Sequence, residues 1–230
     1  MTQAIEPETP EVTAVPEVPG TLFTAAPSAP FTVHEALTRG WAFTSEHLST
    51  LVIATCLILI TAIGGSQLLS RISNRKLELF ASVVLYAIVA MFMQGYLRLA
   101  LGAVDGDAPD LKTLFNLYSL PEYLITVIGM IFALVFGSIL FILPGLAIWY
   151  FLSLAAFLVA DRGLGPVEAW RSSFRLVSRG SGLVARLWLT TAGLYLLGML
   201  AFGVGFLVAV PVCTVAAAHV YRHLASTVES

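Results

Sequence analysis

Charge is the scarcest component of this chain. Of 230 residues, 11% are Asp, Glu, Lys or Arg and 58% are hydrophobic, with a mean hydropathy of +0.88. A soluble domain carries about 25% charged and about 45–50% apolar residues. There is too little charge to coat a water-facing globule, which excludes a soluble enzyme and a nucleic-acid-binding protein. With 12 Lys+Arg against 14 Asp+Glu, no global basic field exists to attract a polyanion. Cysteine is nearly missing. Cys56 and Cys213 both lie in apolar runs and read as small hydrophobes, not as a disulfide or a metal pair. The first thirty residues have no Lys, no Arg and no apolar core, so no secretory leader is expected there. They hold Pro7, Pro10, Pro16, Pro19, Pro27 and Pro30 interleaved with Glu6, Glu8, Glu11 and Glu17. Such a composition buries too little apolar surface to offset ordering, so 1–30 is expected to be a disordered acidic tail.

What the chain does have is long apolar runs. Crossing about 30 Å of hydrocarbon takes about 20 apolar residues, and a helix satisfies every backbone group within the segment. Candidate spans run from about Leu48 to Leu69 and from Leu79 to Ala103. The block from Tyr123 to Ala160 is double length, with Pro144-Gly145 expected to break it into spans ending near Leu143 and starting near Leu146. The block from Leu183 to Leu224 is also double length, with a weaker break at Phe202–Phe206 and with Pro211, a further helix-breaking residue, inside its last span. The expected fold is therefore an all-α integral membrane protein of about six transmembrane helices over 31–225, with a short tail at 226–230. Four or five spans remain open if a double-length block holds a re-entrant segment.

With six spans, nine cations (Arg39, Arg98, Lys112, Arg162, Arg171, Arg175, Arg179, Arg186, Arg222) fall on one side and three (Arg71, Arg75, Lys76) on the other. Positive charge favours the cytoplasmic side, so both termini are expected in the cytoplasm. The segments on that side are amphipathic. From Pro166 to Arg179, the residues Val167, Trp170, Phe174 and Val177 recur at helical spacing, with Arg171, Arg175 and Arg179 on another face. Glu168 stands one turn before Arg171 and is expected to pair with it. An apolar stripe beside an arginine stripe is the make-up of a helix lying in the headgroup plane, where anionic lipid attracts each arginine. Similar pieces precede the first span (Val33, Leu37, Trp41) and the third (Leu111, Leu114, Phe115, Tyr118). Together they suggest a threefold repeat of surface helix plus membrane hairpin.

The stretch Leu143-Pro-Gly, Tyr150 to Ala160 and Asp161-Arg-Gly-Leu-Gly-Pro-Val-Glu-Ala-Trp-Arg-Ser-Ser-Phe-Arg-Leu-Val resembles a signature of the glycerophosphoryl diester phosphodiesterase membrane-domain family and its relatives among bacterial polytopic proteins. Val33 to Trp41 and Gly106 to Phe115 are similar to the family's first two surface helices, and Val210-Pro211 followed by Tyr221 to its last span. The resemblance covers about residues 31–225 and implies a membrane location. In some members this part is joined to a phosphodiesterase domain. Six residues follow Leu224, so that domain is not expected here and its activity is not carried over.

Nothing in the sequence assembles an active site, and no cofactor or metal is expected. His219 and His223 share a helix face, but no acidic residue joins them in that span. Gly64-Gly65-Ser66 lacks the glycine that a nucleophile elbow needs after the serine. Polar residues at depth are the remaining candidates, because charge near the bilayer centre costs roughly 2.5–3.5 kcal/mol. Gln94 and Arg98 lie four apart on the second span, and Arg98 can snorkel or pair with Asp161 at the end of the fourth. The expected function is that of a non-enzymatic membrane protein organising lipid or a protein partner through Trp170, Arg171, Arg175, Arg179 and Glu168. The alternatives are a permease or lipid transporter with a polar seam at Gln94, Arg98 and Asp161, and an accessory subunit of an enzyme on another chain. The plain role of the same arginines is to hold their loop in the cytoplasm.

Overall fold

A computed structural model describes residues 31–115, 119–140, 142–200 and 204–229. The proline-rich segment 1–30 and Tyr118 lie outside the described residues. Within them there is no strand, and the helices follow as α1 (Val33–Glu46), α2 (Leu48–Leu59), a π turn (Ile60–Gly64), α3 (Gly65–Leu69), α4 (Arg75–Asp105), a 3-10 turn (Leu111–Phe115), α5 (Leu120–Leu140), α6 (Ile142–Leu152), α7 (Ala155–Arg162), α8 (Pro166–Arg179), α9 (Ser181–Leu200) and α10 (Val204–Glu229). Five stretches are long and apolar enough to cross a membrane: Leu48–Leu69, Arg75–Asp105, Gly145–Arg162, Ser181–Leu200 and Gly205–Thr227. The chain is an all-α protein built for a multi-pass membrane setting, and α5 adds a further apolar helix.

Local chemistry sets the helix ends. The Thr32 hydroxyl caps α1 through Glu35 N at 3.3 Å, and Asn74 Oδ1 caps α4 through Lys76 N at 3.1 Å. Gly106 and Gly163 end α4 and α7 at φ 90° and 62°, a left-handed geometry that glycine adopts without a Cβ penalty. Pro166 opens α8, where its missing N–H has no intrahelical partner to lose.

The double-length block has its first break between α5, ending at Leu140, and α6, starting at Ile142, a few residues before the Pro144-Gly145 pair. Pro144 and Gly145 sit in the first turn of α6, not in a turn between spans. Proline is harmless there, because the first N–H groups of a helix have no carbonyl to meet. A second interruption at Ser153–Leu154, without proline or glycine, separates α6 from α7. Nor does Pro211 end a helix: α10 runs continuously through it.

Burial is concentrated at one end of the bundle. In α4 the buried residues begin at Phe92, and in α2 they are Leu51, Ala54 and Thr55. The remaining lengths present Phe80, Val83, Tyr86, Leu189 and Leu200, each more than two-thirds exposed, as a lipid-facing surface should. Small residues carry the close approaches. A Cβ at Gly40 would stand 2.8 Å from Val212 O, and one at Gly95 would overlap the backbone of Thr113 and Leu114.

Small residues also reset the surface helices. Helix α1 buries Val33, Ala36, Gly40 and Thr44, while Trp41 is 56% exposed. The packed face is therefore rotated away from the Val33–Leu37–Trp41 stripe, because α10 can approach a row of small side chains more closely than an aromatic one. Of the expected surface helix before the third span, the described part is a short 3-10 helix, Leu111–Phe115. Asp110 Oδ1 accepts from Lys112 N at 2.9 Å, and the turn lies flat on Gly95 with Leu114 fully buried.

Candidate functional site

Two features bring polar groups together at the packed end. The first is a pocket of about 320 Å³ where α4, α7 and α10 meet, lined by Arg98, Asp105, Asp107, Asp161 and Arg222 over a floor that includes Gly102 and Ala160. Three carboxylates face two guanidinium groups. Arg222 bridges two of the carboxylates, with Nη1 donating to Asp161 Oδ2 at 2.9 Å and Nη2 to Asp105 Oδ2 at 2.6 Å. Tyr221 Oη donates to the same Asp161 oxygen at 2.7 Å, and Arg162 Nε lies 3.7 Å from it. Asp161 thus collects most of the local positive charge, and α4, α7 and α10 are tied at their ends by one charged side chain.

Ser119 extends this network inward. Its Oγ accepts from Gln94 Nε2 at 2.9 Å and from Arg98 Nη2 at 3.1 Å, and lies 3.3 Å from Val159 O as a donor. Ser119 has φ 57°, an uncommon conformation for a residue with a Cβ. Holding one hydroxyl between α4 and α7 is the structural use of that conformation. The fully buried Gln94 therefore meets Arg98 through Ser119, and Arg98 and Asp161 line the same pocket.

The second feature is α8. Its buried side is Ala169, Ser173, Leu176 and Val177, so the inward face shares only Val177 with the expected apolar stripe. Val167 and Phe174 are 58% and 53% exposed, and Trp170 stands between the two environments with its ring against Gly129 of α5. Arg171, Arg175 and Arg179 are exposed. Arg175 Nη2 donates to Ser172 Oγ at 3.1 Å, and Glu168 forms no ion pair with Arg171 among the described residues. Both side chains are long and solvated, so an i, i+3 pair gains too little to fix its rotamers. Leu152, Val167, Trp170 and Phe174 form the apolar wall of a groove of about 850 Å³, with Glu168, Arg171 and Arg175 at its rim.

Ser173 holds this helix in place. Its fully buried hydroxyl donates to Phe151 O at 2.8 Å and accepts from Leu154 N at 3.3 Å. It thereby satisfies two backbone groups freed by the break between α6 and α7. Tyr150 Oη donates to Ser181 O at 2.5 Å and ties α6 to the start of α9.

Gln94 and Arg98 thus share the Ser119 hydroxyl, Arg98 and Asp161 line one pocket, and Trp170, Arg171, Arg175 and Glu168 share one groove, with Arg179 beyond it. Asp105, Asp107, Ser119 and Ser173 are site residues that the sequence patterns did not single out, and Tyr221 and Arg222 entered only through the resemblance and the count of cations. His219 Nδ1 lies 2.9 Å from Val215 O and His223 stacks on Phe31 at 4.5 Å, so each ring is engaged locally. Comparison with protein-family models, with curated proteins and with solved structures returned no match.

Proposed function

We propose that this chain is a non-enzymatic multi-pass protein of the bacterial inner membrane, with six crossings in three hairpins and both termini in the cytoplasm, that organises inner-leaflet lipid or a protein partner through α8. One observation carries this: α8 is anchored by a buried polar latch on one side and presents three arginines beside exposed Val167 and Phe174 on the other. A helix held this firmly, yet apolar and basic on its outer edge, is built to meet an interface. The motif from Leu143 to Val177 supports membership of the phosphodiesterase membrane-domain family.

Purification of the full chain from native membranes, with analysis of the lipid and protein it retains, tests the function. Anionic phospholipid is expected to be enriched over the bulk membrane, and changing Arg171, Arg175 and Arg179 together to Gln should remove that enrichment or a co-purifying partner. Identical lipid and protein content for the variant and the parent would refute it. A permease or lipid transporter is the second reading, favoured by the pocket that Arg98 and Asp161 share. It requires solute or lipid flux in proteoliposomes that Asp161→Asn abolishes.

A further inference from the structure

The groove beside α8 joins two chemistries on one helix edge. Leu152, Val167, Trp170 and Phe174 supply a hydrocarbon wall, and Arg171 and Arg175 stand at its rim within the same 850 Å³ space. Its shape follows from the break after α6. The Ser173 hydroxyl holds Phe151 and Leu154 against α8, which sets Leu152 beside the helix, while Trp170 is seated on Gly129. The wall is therefore fixed in place before any ligand arrives. About 300–1,000 Å³ is the range of small-molecule sites.

We propose that this groove binds one anionic glycerophospholipid, with its phosphate on Arg171 and Arg175 and an acyl chain along Leu152, Val167, Trp170 and Phe174. This rests on the lipid-organising role proposed above and names its site and ligand class. Charge complementarity selects the occupant. Arg171 has no ion-pair partner among the described residues, and Arg175 is hydrogen-bonded only to the neutral Ser172 hydroxyl. A soluble anion would satisfy the arginines but leave Val167 and Phe174 in water, whereas a phospholipid covers both. Glu168 stands at the same rim and opposes the phosphate, leaving a net charge of +1 among the three groups.

The test is a titration of the detergent-purified full chain with phosphatidylglycerol or phosphatidylcholine of matched acyl chains, read by native mass spectrometry. One phosphatidylglycerol per chain is expected to bind saturably, and phosphatidylcholine about tenfold more weakly. At about 1 kcal/mol per surface arginine, R171Q/R175Q should weaken phosphatidylglycerol binding about thirtyfold. On the same scale E168Q should tighten it about fivefold. R179Q, which removes an arginine outside the groove, should change it less than about twofold. Glycerol phosphate, which lacks the chain, should compete at least about a hundredfold more weakly, the loss of a few buried methylenes. All four positions are exposed, so the variants should keep the helical circular dichroism of the parent.

If R179Q weakens binding as much as Arg175→Gln, attraction is diffuse: the groove site is refuted and the inner-leaflet role stands. If no arginine change weakens lipid binding, the groove site and the lipid-organising part of the role are both refuted, and only the protein-partner part stands. Competition by glycerol phosphate on equal terms would show a site for a free anion and overturn the lipid assignment.

Discussion

Replacing Ser173 by alanine removes one hydroxyl from the junction of α6, α7 and α8, and two backbone groups lose their partner at once. Phe151 O loses a donor at 2.8 Å, and Leu154 N loses an acceptor at 3.3 Å. Ser173 is fully buried, so water reaches neither group without local opening. An orphaned buried donor or acceptor costs about 1–3 kcal/mol. Two at adjacent helix ends, where some relaxation is open to the chain, should cost about 2–4 kcal/mol together. For a chain of this length that lowers the melting temperature by about 5–10 °C. Thermal unfolding in a mild detergent, followed by tryptophan fluorescence, measures it. The neighbouring Ser172→Ala is the control: its bond goes to a solvated arginine, and it should melt within about 1 °C of the parent. If Ser173→Ala and Ser172→Ala melt together, the latch does not hold α8 and the geometry of the groove loses its cause.

Gly95→Ala should destabilise by about 1–3 kcal/mol, because its methyl meets the backbone of the 3-10 turn and neither partner can rotate away. Gly64→Ala, with nothing within 4 Å of the new carbon, should be neutral or stabilising by about 0.5–1 kcal/mol in the same melt. Arg222→Gln leaves Asp105 and Asp161 without their bridge. Adding Asp161→Asn should recover part of the loss, with a coupling of about 1–2 kcal/mol in a double-mutant cycle on this partly exposed pair. For topology, single cysteines placed by Ser178→Cys and Ser73→Cys in a chain without Cys56 and Cys213 are to be probed with a membrane-impermeant maleimide on intact cells. Ser73→Cys should label and Ser178→Cys should not; the reverse pattern would invert the orientation.

The polar network was half legible. Gln94, Arg98 and Asp161 stand out because charge and amide groups in apolar runs are expensive, and that cost depends on composition alone. Ser119 and Ser173 leave no such trace. A serine in a loop or on an amphipathic helix is ordinary, and its importance comes from a backbone carbonyl brought close by the fold. Arg222 reads as one more cation at a span end until α4 places Asp105 within 2.6 Å of it.

Hydropathy along the chain determined the class of protein, and local residue chemistry determined the helix ends at Gly106 and Gly163 and the start of α8 at Pro166. Each depends on neighbours a few residues away or on transfer of a segment out of water. Which face of α1 and α8 turns inward was decided by the tertiary structure. In a setting where apolar residues gain little by meeting each other instead of lipid, helices choose the faces on which their backbones approach most closely. Gly40 and Ala169 therefore pack inward, and Trp41 and Phe174, which periodicity placed on the apolar stripes of surface helices, are left on the outside.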